Sequence, residues 1–253
     1  MAVINMKAVN WFQFDVPTSY AEIESLQKTI FNNKLAQASL SDVVIACQHF
    51  PVLTLGRRTK AEHVHHSRRY LWNQGVEVHE IVRGGSVTAH EPGQLVFYPL
   101  LNLKNYGLDG VQYLAKLGEW MIRVCHDLGM RVSLSPVASV LHPEGTHLTG
   151  VWVGIQKVAS IGIRIQNSIT MHGVALNINN DCSTFQYIAP CGIEGLKVSS
   201  AQQVTGITYD LYKVMKMAEE HFKKLFGVST ECIYESVPVE GTESGVVYGQ
   251  ETS

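Results

Sequence analysis

The stretch Lys-Val-Ala-Ser-Ile-Gly-Ile-Arg-Ile at residues 157–165, followed after Gln-Asn-Ser by Ile-Thr-Met-His-Gly-Val-Ala-Leu-Asn-Ile at residues 169–178, decides the fold. Apolar residues alternate with small or polar ones in both halves, which is the two-residue period of a β-strand. The short polar segment between them predicts a loop centred near Asn167. We therefore expect the two halves to form a β-hairpin.

The alternation also predicts which side chains share a face of this hairpin. Lys157 begins an apolar row on the first strand, which continues with Ala159, Ile161, Ile163 and Ile165. On the other face Gly162 lies opposite Gly173, and Ser160 lies opposite Ala175. This face is a shallow groove that either holds an extended, unbranched substrate or receives a closely packed element, and the register alone does not separate the two.

The remaining sequence predicts a mixed α and β protein. Apolar residues at helical spacing predict helices that start near Ser19, with Glu22 completing a capping box, at Asp109, where Gln112 completes another, and at Thr208. Short strands between the helices indicate an α/β fold of the mixed α+β kind, with a central mixed sheet and flanking helices. We expect one domain over residues 1–234 and a loosely ordered tail over residues 235–253, which is rich in Glu, Gly, Ser and Thr.

Composition narrows the class of protein. The chain has 253 residues, is 45% hydrophobic and 17% charged, and carries a formal net charge of −2, which argues against nucleic-acid binding. A segment of about eighteen uninterrupted apolar residues is missing, so we expect no membrane association. The five cysteines are widely spaced and contain no Cys-x-x-Cys pair, which fits a reducing, cytoplasmic location.

Two further segments carry polar groups that suit a binding site. Residues 83–90, Arg-Gly-Gly-Ser-Val-Thr-Ala-His, place two glycines between strands, where backbone N–H groups can approach a ligand and Arg83 offers a fixed positive fork. A glycine bulge in a hairpin is the alternative. Three histidines, His63, His65 and His66, suggest a metal site at first sight, but their polar, unpatterned context favours a solvated face, and we expect neither metal nor cofactor.

Cys191 differs from the other cysteines because Pro-Cys-Gly is a turn that presents its side chain. We infer that Cys191 is a nucleophile and that Lys157 activates it, since an ammonium favours the thiolate form of a neighbouring cysteine. Spacing alone also fits a structural cysteine and a surface lysine. His172, near the groove, either orients a reacting group or is a satisfied core histidine.

Six blocks of the chain, taken in order, resemble the lipoyl (octanoyl) transferase family, also called lipoate-protein ligase B. They are His49-Phe-Pro-Val-Leu-Thr-Leu-Gly-Arg57, Arg83-Gly-Gly-x-Val-Thr-x-His-x-Pro-Gly-Gln-Leu-Val-x-Tyr-Pro99, Gly150-Val-Trp-Val153, Lys157 with Ile161-Gly162, His172-Gly-x-Ala-Leu-Asn177, and Pro190-Cys-Gly-Ile193. The resemblance covers roughly residues 46–205. It implies the fold that this family shares with biotin-protein ligases and lipoate ligases.

The resemblance further implies transfer of an octanoyl group from the phosphopantetheine thioester of acyl carrier protein to a lysine of lipoyl domains, those of 2-oxoacid dehydrogenase complexes and of the glycine cleavage H protein. In the family, the residues at the positions of Cys191 and Lys157 are the acyl-thioester nucleophile and its activator. Substrate contacts there correspond to Arg83, Gly84, Gly85, Ser86, Val87, Thr88, Ala89, His90, Ser160, Ile161, Gly162, Gly173, Val174 and Ala175.

Two positions depart from the family pattern. Glu91 replaces the first glycine of His-Gly-Pro-Gly-Gln, and Ser199 replaces a common threonine. We expect neither residue to touch the Cys191–Lys157 pair, and we expect Glu91 to alter the loop over the pocket. An ATP-dependent lipoate ligase on the same fold and a non-catalytic binder of carrier or lipoyl domains are the alternative functions.

Overall fold

The computed structural model describes residues 7–134 and 150–234, and within them the chain forms ten β-strands and five α-helices. The strands are β1 (Lys7–Thr18), β2 (Asp42–His49), β3 (Val52–Leu55), β4 (Glu77–Glu80), β5 (Val87–His90), β6 (Gln94–Leu100), β7 (Gly150–Val153), β8 (Gln156–Gln166), β9 (Ile169–Asn177) and β10 (Val228–Tyr234). The helices are α1 (Tyr20–Ala36), α2 (Arg68–Asn73), α3 (Gly110–Asp127), α4 (Ala201–Thr205) and α5 (Leu211–Phe226). The predicted tail at residues 235–253 lies outside the described residues.

Seven strands of the described chain form one mixed sheet in the order β10-β1-β2-β6-β9-β8-β7, and β4-β3-β5 form a smaller sheet. Strand β1 is parallel to β2 and β10, whereas β8 and β9 pair antiparallel with each other. Helices α3 and α5 cover one face of the large sheet through the main apolar core, and α1 covers the other face through a second core. The predicted mixed α/β fold with flanking helices is confirmed. In residues 7–134 and 150–234 no helix has the length and apolar character needed to span a membrane.

The predicted hairpin is β8–β9, and its register is the one expected from the alternation. Ser160 pairs with Ala175, and Gly162 pairs with Gly173. The loop is the two-residue segment 167–168, in which both residues have positive φ angles of 51° and 66°. Positive φ at both central positions is the type I′ geometry, whose twist matches that of the flanking strands.

The face predicted for Lys157 is wrong, because β8 contains a bulge. Pairing between β7 and β8 passes from Val151–Ala159 to Trp152–Lys157, so Val158 is an extra residue on β8. An extra residue shifts the alternation of side chains by one position. Val158 and Ala159 both enter the main core, and Lys157 turns to the face that carries the small residues of the hairpin.

The predicted helices are present, but two of their starts differ in detail. The capping box predicted at Ser19 is wrong, since the Ser19 side chain makes no capping hydrogen bond to α1. The box at Asp109 and Gln112 forms as predicted at the start of α3. Helix α5 starts later than Thr208, because the side chain of Asp210 accepts a hydrogen bond from the first turn and caps the helix there.

Replacing Gly173 with alanine is expected to destabilise the fold. A Cβ atom at this position would overlap the carbonyl oxygen of Phe97 and lie 2.8 Å from Cδ of Pro99 on the neighbouring β6. A backbone carbonyl in a sheet has little freedom to move, so we expect the free energy of unfolding to fall by about 1–3 kcal/mol. Urea titration measures this, and Gly84→Ala is the control, because a Cβ atom there would have its nearest contact at an ordinary 3.5 Å. Equal unfolding midpoints for the two variants would contradict the prediction.

Candidate active site

Cys191 lies in the short 3-10 turn Pro190–Gly192, which comes after β9 and before α4 in the chain. Hydrogen bonds from Gly192 N to Ala189 O (2.8 Å) and from Ile193 N to Pro190 O (3.1 Å) close this turn. Cys191 has a φ of 59° and a ψ of 12°, the left-handed conformation that residues with a side chain rarely adopt. Such backbone strain is concentrated at functional sites. The two hydrogen bonds and the left-handed backbone of Cys191 confirm the turn predicted from Pro-Cys-Gly.

The side chains of Lys157 and Cys191 meet. Lys157 Nζ donates a hydrogen bond to Cys191 Sγ over 3.0 Å. Lys157 is 3% exposed, and the Trp152 ring lies 5.5 Å from its ammonium. Gly150 leaves room for this arrangement, because a Cβ atom there would overlap Cε of Lys157. Lys157 thus places a buried positive charge directly against the Cys191 sulfur.

A cavity extends from this pair along the small-residue face of the hairpin. It contains about 730 Å³ of empty space when its opening to solvent is included. All the residues predicted to contact substrate line it except Ala89, namely residues 83–88, His90, residues 160–162 and residues 173–175. Ala89 belongs instead to a small core with Leu53 and Leu71. Sequence reasoning missed other wall residues, which are Tyr20, Arg58, Ile81, Val96 and Tyr98.

The buried Arg83 side chain stabilises the loop at residues 83–86 through hydrogen bonds to its backbone. Its Nη1 donates to the carbonyls of Gly84 (3.0 Å) and Ser86 (2.7 Å), and its Nη2 donates to the carbonyl of Thr54 (2.8 Å). Burial lowers the pKa of Arg83. The positive fork predicted to be available for a ligand is therefore bonded to the protein's own backbone, and its charge still contributes to the cavity wall.

The small residues of the hairpin satisfy both alternatives that the sequence left open. A Cβ atom on Gly162 would lie 3.0 Å from Cδ of Arg83, and one on Gly173 would overlap the backbone of β6. These two glycines therefore admit closely packed neighbours. Ser160 and Ala175 line the cavity, and so do the two glycines on the side away from these neighbours. Close packing explains the glycines, and the groove lies beside them.

Buried rings form part of the cavity wall. A 2.8 Å hydrogen bond joins the Tyr98 hydroxyl to Nε2 of His49. The rings of Tyr20 and His90 stack, with their centroids 6.1 Å apart. Burial lowers the pKa of His49 to about 3, of His90 to about 4 and of His172 to about 3. The three histidines are therefore neutral at physiological pH, and two of them, His90 and His172, line the cavity, where they add no charge to its wall.

His172 is not the satisfied core histidine of the simpler hypothesis. It is 3% exposed, lines the cavity and has a positive φ of 61°. Its Nδ1 is buried and has no hydrogen-bond partner among the described residues. The ring also has a backbone hydrogen-bond partner in Val82, so the hypothesis that His172 orients a substrate stays a prediction.

The buried histidines are expected to make the fold sensitive to acid. Below about pH 6.5 an unfolded histidine binds a proton, whereas the folded His49, His90 and His172 bind one only near the low pKa values given above. The free energy of unfolding is thus expected to fall as the pH drops from about 6.5 towards about 4, by roughly 1.4 kcal/mol per pH unit for each histidine. Urea titrations across this range measure the slope. His49→Gln is expected to reduce the slope of the unfolding free energy against pH by the contribution of one histidine. An unchanged slope would contradict the low pKa of His49.

The prediction of a solvated face at the three histidines is wrong for His63. Its Nδ1 lies 2.7 Å from Ser86 Oγ, and its Cε1 is 2.7 Å from the place where a Cβ atom of Gly192 would be. The carbonyl of His63 accepts a hydrogen bond from Ala189 N over 3.0 Å. Residues 61–63 thus run beside the Cys191 turn. Local sequence patterns carry no sign of a contact between such distant segments.

The two departures from the family pattern also occupy unexpected places. The buried carboxylate of Glu91 accepts hydrogen bonds from Asn180 Nδ2 and Thr184 N, both of 2.8 Å, and so holds the segment that leads to the Cys191 turn. It is not among the residues that line the cavity. Ser199 N donates to Lys157 O over 3.0 Å, so the expectation that Ser199 does not touch the pair is wrong. This contact uses only the backbone, which a threonine also supplies.

The fold described above, with its mixed sheet and flanking helices, also occurs in lipoate-protein ligases. Lipoate-protein ligase A bound with ATP superimposes with a TM-score of 0.68 and 12% identity over 92% of this chain and 90% of that one. A bipartite lipoate protein ligase from Thermoplasma acidophilum gives a TM-score of 0.66 and 11% identity over 92% of this chain and 89% of that one. These likenesses show the fold alone.

The chain belongs to the lipoyl protein ligase A/B catalytic domain family, whose model matches residues 19–223. A Nostoc punctiforme protein named octanoyltransferase is 38% identical over 211 residues, which are 83% of this chain and 85% of that protein. A Desulfotalea psychrophila protein with the same name is 35% identical over 215 residues, or 84% of this chain and 92% of that protein. The family resemblance inferred from the six blocks is confirmed.

Proposed function

We propose that this chain is an octanoyltransferase that carries an octanoyl group from acyl carrier protein to a lysine of a lipoyl domain, the first step of endogenous protein lipoylation. The observation that carries the proposal is the 3.0 Å contact between Lys157 Nζ and Cys191 Sγ at the cavity wall. The name shared by the relatives supports the choice of the acyl group.

The first half-reaction moves the acyl group onto the enzyme. The thiolate of Cys191 attacks the carbonyl carbon of the octanoyl thioester, and a new S–C bond forms. The C–S bond to the phosphopantetheine arm breaks, and the arm leaves as a thiolate that then takes up a proton. Lys157 stabilises the Cys191 thiolate before attack. One thioester replaces another of similar energy, so this step needs no ATP.

The second half-reaction moves the acyl group onto the acceptor. The neutral amine of the acceptor lysine attacks the carbonyl carbon of the Cys191 thioester, and an N–C bond forms. The amine gives up a proton, and the C–S bond to Cys191 breaks. Cys191 returns as a thiolate beside the ammonium of Lys157, which stabilises it as a leaving group. An amide is more stable than a thioester, and this difference drives the transfer.

The cavity is proposed to hold the octanoyl chain along residues 160–162 and 173–175, with the loop at residues 83–90 over it. Neutral histidines and small side chains form these walls, so the chain meets no charged histidine. Burial of the chain contributes about 0.8 kcal/mol for each CH₂ group removed from water. The same walls position the thioester carbonyl at Cys191.

The carrier protein is proposed to dock at the cavity opening. Arg57 and Arg58 are exposed, and Arg58 also lines the cavity. Acyl carrier proteins are acidic, so positive charge at the opening favours their approach. Lipoyl domains of 2-oxoacid dehydrogenase complexes and the glycine cleavage H protein are the proposed acceptors, and the proposed location is cytoplasmic.

Intact mass measurement tests the proposal. Incubation of the protein with octanoyl acyl carrier protein, without ATP, is expected to add the mass of one octanoyl group, which an added lipoyl domain then removes. Octanoylation that requires free octanoate and ATP would establish the ligase alternative instead. Binding of both partners without any adduct or transfer would establish the non-catalytic alternative.

A further inference from the structure

A second hydrogen-bonded pair lies at the same cavity as Cys191 and Lys157. Ser86 Oγ and His63 Nδ1 are 2.7 Å apart. Ser86 is 7% exposed and lines the cavity, and His63 is half-buried behind it. A hydroxyl within hydrogen-bond reach of an imidazole nitrogen is an arrangement by which enzymes move protons.

His63 is held in the tautomer that accepts a proton from Ser86. The backbone N–H of Lys60 points at His63 Nδ1 over 3.1 Å, so Nδ1 carries a lone pair and the proton of the neutral ring is on Nε2. The hydroxyl of Ser86 therefore donates to Nδ1 and shares its one lone pair with the Lys60 N–H, while the Ser86 oxygen keeps lone pairs to accept a proton. Arg83 Nη1 donates to the Ser86 carbonyl over 2.7 Å and fixes the backbone of Ser86.

The pair is adjacent to the nucleophile turn. The His63 ring packs directly on Gly192, whose φ of 76° also requires glycine, and the His63 carbonyl bonds Ala189 N on the other side of Cys191. His63 thus contacts both residues that flank Pro190 and Cys191, Gly192 through its ring and Ala189 through its carbonyl. Any group bound to Cys191 Sγ in the cavity shares that space with Ser86.

We propose that Ser86 and His63 form a proton relay for the second half-reaction, which rests on the proposed function. As the acceptor amine forms its N–C bond, its proton passes to Ser86 Oγ while the Ser86 hydroxyl proton passes to His63 Nδ1. The C–S bond to Cys191 breaks and leaves a thiolate beside Lys157. His63, now an imidazolium, gives up its bond from Lys60 N–H and releases a proton to solvent, which restores the resting state.

The two half-reactions differ in their need for this relay. In the first, Cys191 attacks as a thiolate and has no proton to lose. In the second, the attacking amine must lose a proton to become an amide nitrogen. A general base contributes to the second step only, and such a contribution is typically about 10²–10⁴-fold.

Single-turnover rates of the two half-reactions test the relay. Octanoylation of Cys191 is followed by intact mass, and transfer from the isolated octanoyl-enzyme to a lipoyl domain is followed separately. For His63→Ala we expect transfer to slow by about 10²-fold or more while octanoylation is unchanged. Added imidazole is expected to restore part of the transfer rate. Ser86→Ala is expected to slow transfer as well, and by more than it slows octanoylation.

His66→Gln is the matched control, because the His66 ring stacks on Tyr70 at 4.3 Å and is not part of the cavity wall. Should His63→Ala lose its fold, His63→Gln keeps an acceptor for the Lys60 N–H and gives the same comparison. Equal slowing of both half-reactions, or transfer at the wild-type rate, would overturn the relay while the octanoyl-enzyme still forms. Failure of the wild-type protein to form that adduct would instead overturn the proposed function.

Discussion

Cys191→Ser is expected to form no octanoyl-enzyme and to transfer octanoyl groups at least about 10³-fold more slowly than the wild-type protein. The two side chains have almost the same shape, so the turn and the cavity are retained. A serine hydroxyl, however, is not ionised by an ammonium at 3.0 Å, and an alkoxide is a poor leaving group in the second half-reaction. Intact mass and the rate of lipoyl-domain octanoylation measure the two effects.

Cys182→Ser is the matched control for this experiment. Cys182 is also only partly buried, but burial raises its pKa to about 12, so it remains a thiol at neutral pH. We expect this variant to form the adduct and to transfer it as the wild-type protein does. An octanoyl adduct that persists in Cys191→Ser, or that disappears in Cys182→Ser, would move the nucleophile away from Cys191.

Lys157→Met is expected to lower octanoyl transfer by about 10²–10⁴-fold. Methionine fills much of the space beside Gly150 but brings no positive charge to Cys191 Sγ, so more of the cysteine is present as the unreactive thiol. Alkylation of Cys191 by iodoacetamide at neutral pH is expected to slow in parallel. The pair of measurements separates activation of the sulfur from binding of the acyl donor.

Lys197→Met is the matched control, because it removes one positive charge close to Lys157 without changing the side chains of Lys157 or Cys191. The side chain of Lys197 is exposed, and only its carbonyl contacts Lys157, through a 2.9 Å hydrogen bond from Lys157 N. Wild-type rates are expected for this control. Alkylation of Cys191 at the wild-type rate in Lys157→Met would show that the ammonium does not activate the thiol, despite its distance.

Local patterns were sufficient for the hairpin and for the nucleophile turn. The alternation along β8 and β9 specifies which residues pair, because a slip by one residue would bury the polar set and expose the apolar set. Ser160 and Gly162 accordingly meet Ala175 and Gly173. The turn at Cys191 follows from its flanking proline and glycine, whose backbone preferences act over adjacent residues only.

The same rule fails for Lys157, and the failure changes the site. Strict alternation places the lysine among the apolar residues of β8, where it would not reach the small-residue face. The extra residue Val158 instead turns the Lys157 side chain to the small-residue face. A bulge depends on the pairing with β7 as well as on β8, so a rule applied to one strand does not reveal it. The contact with Cys191 exists because of this bulge.

The amino-acid sequence by itself determined the mixed α/β class, the hairpin register, the family, and the identities of Cys191 and Lys157 as the candidate pair. Only the tertiary structure decided that their side chains meet at 3.0 Å, that Arg83 bonds the carbonyl of Thr54, and that His63 reaches Ser86 beside the same turn. The physical reason is the separation along the chain over which each kind of interaction acts. Alternation, capping and turn preferences act between near neighbours in the chain, whereas these contacts join residues that lie 23 to 34 positions apart and meet only in the folded chain.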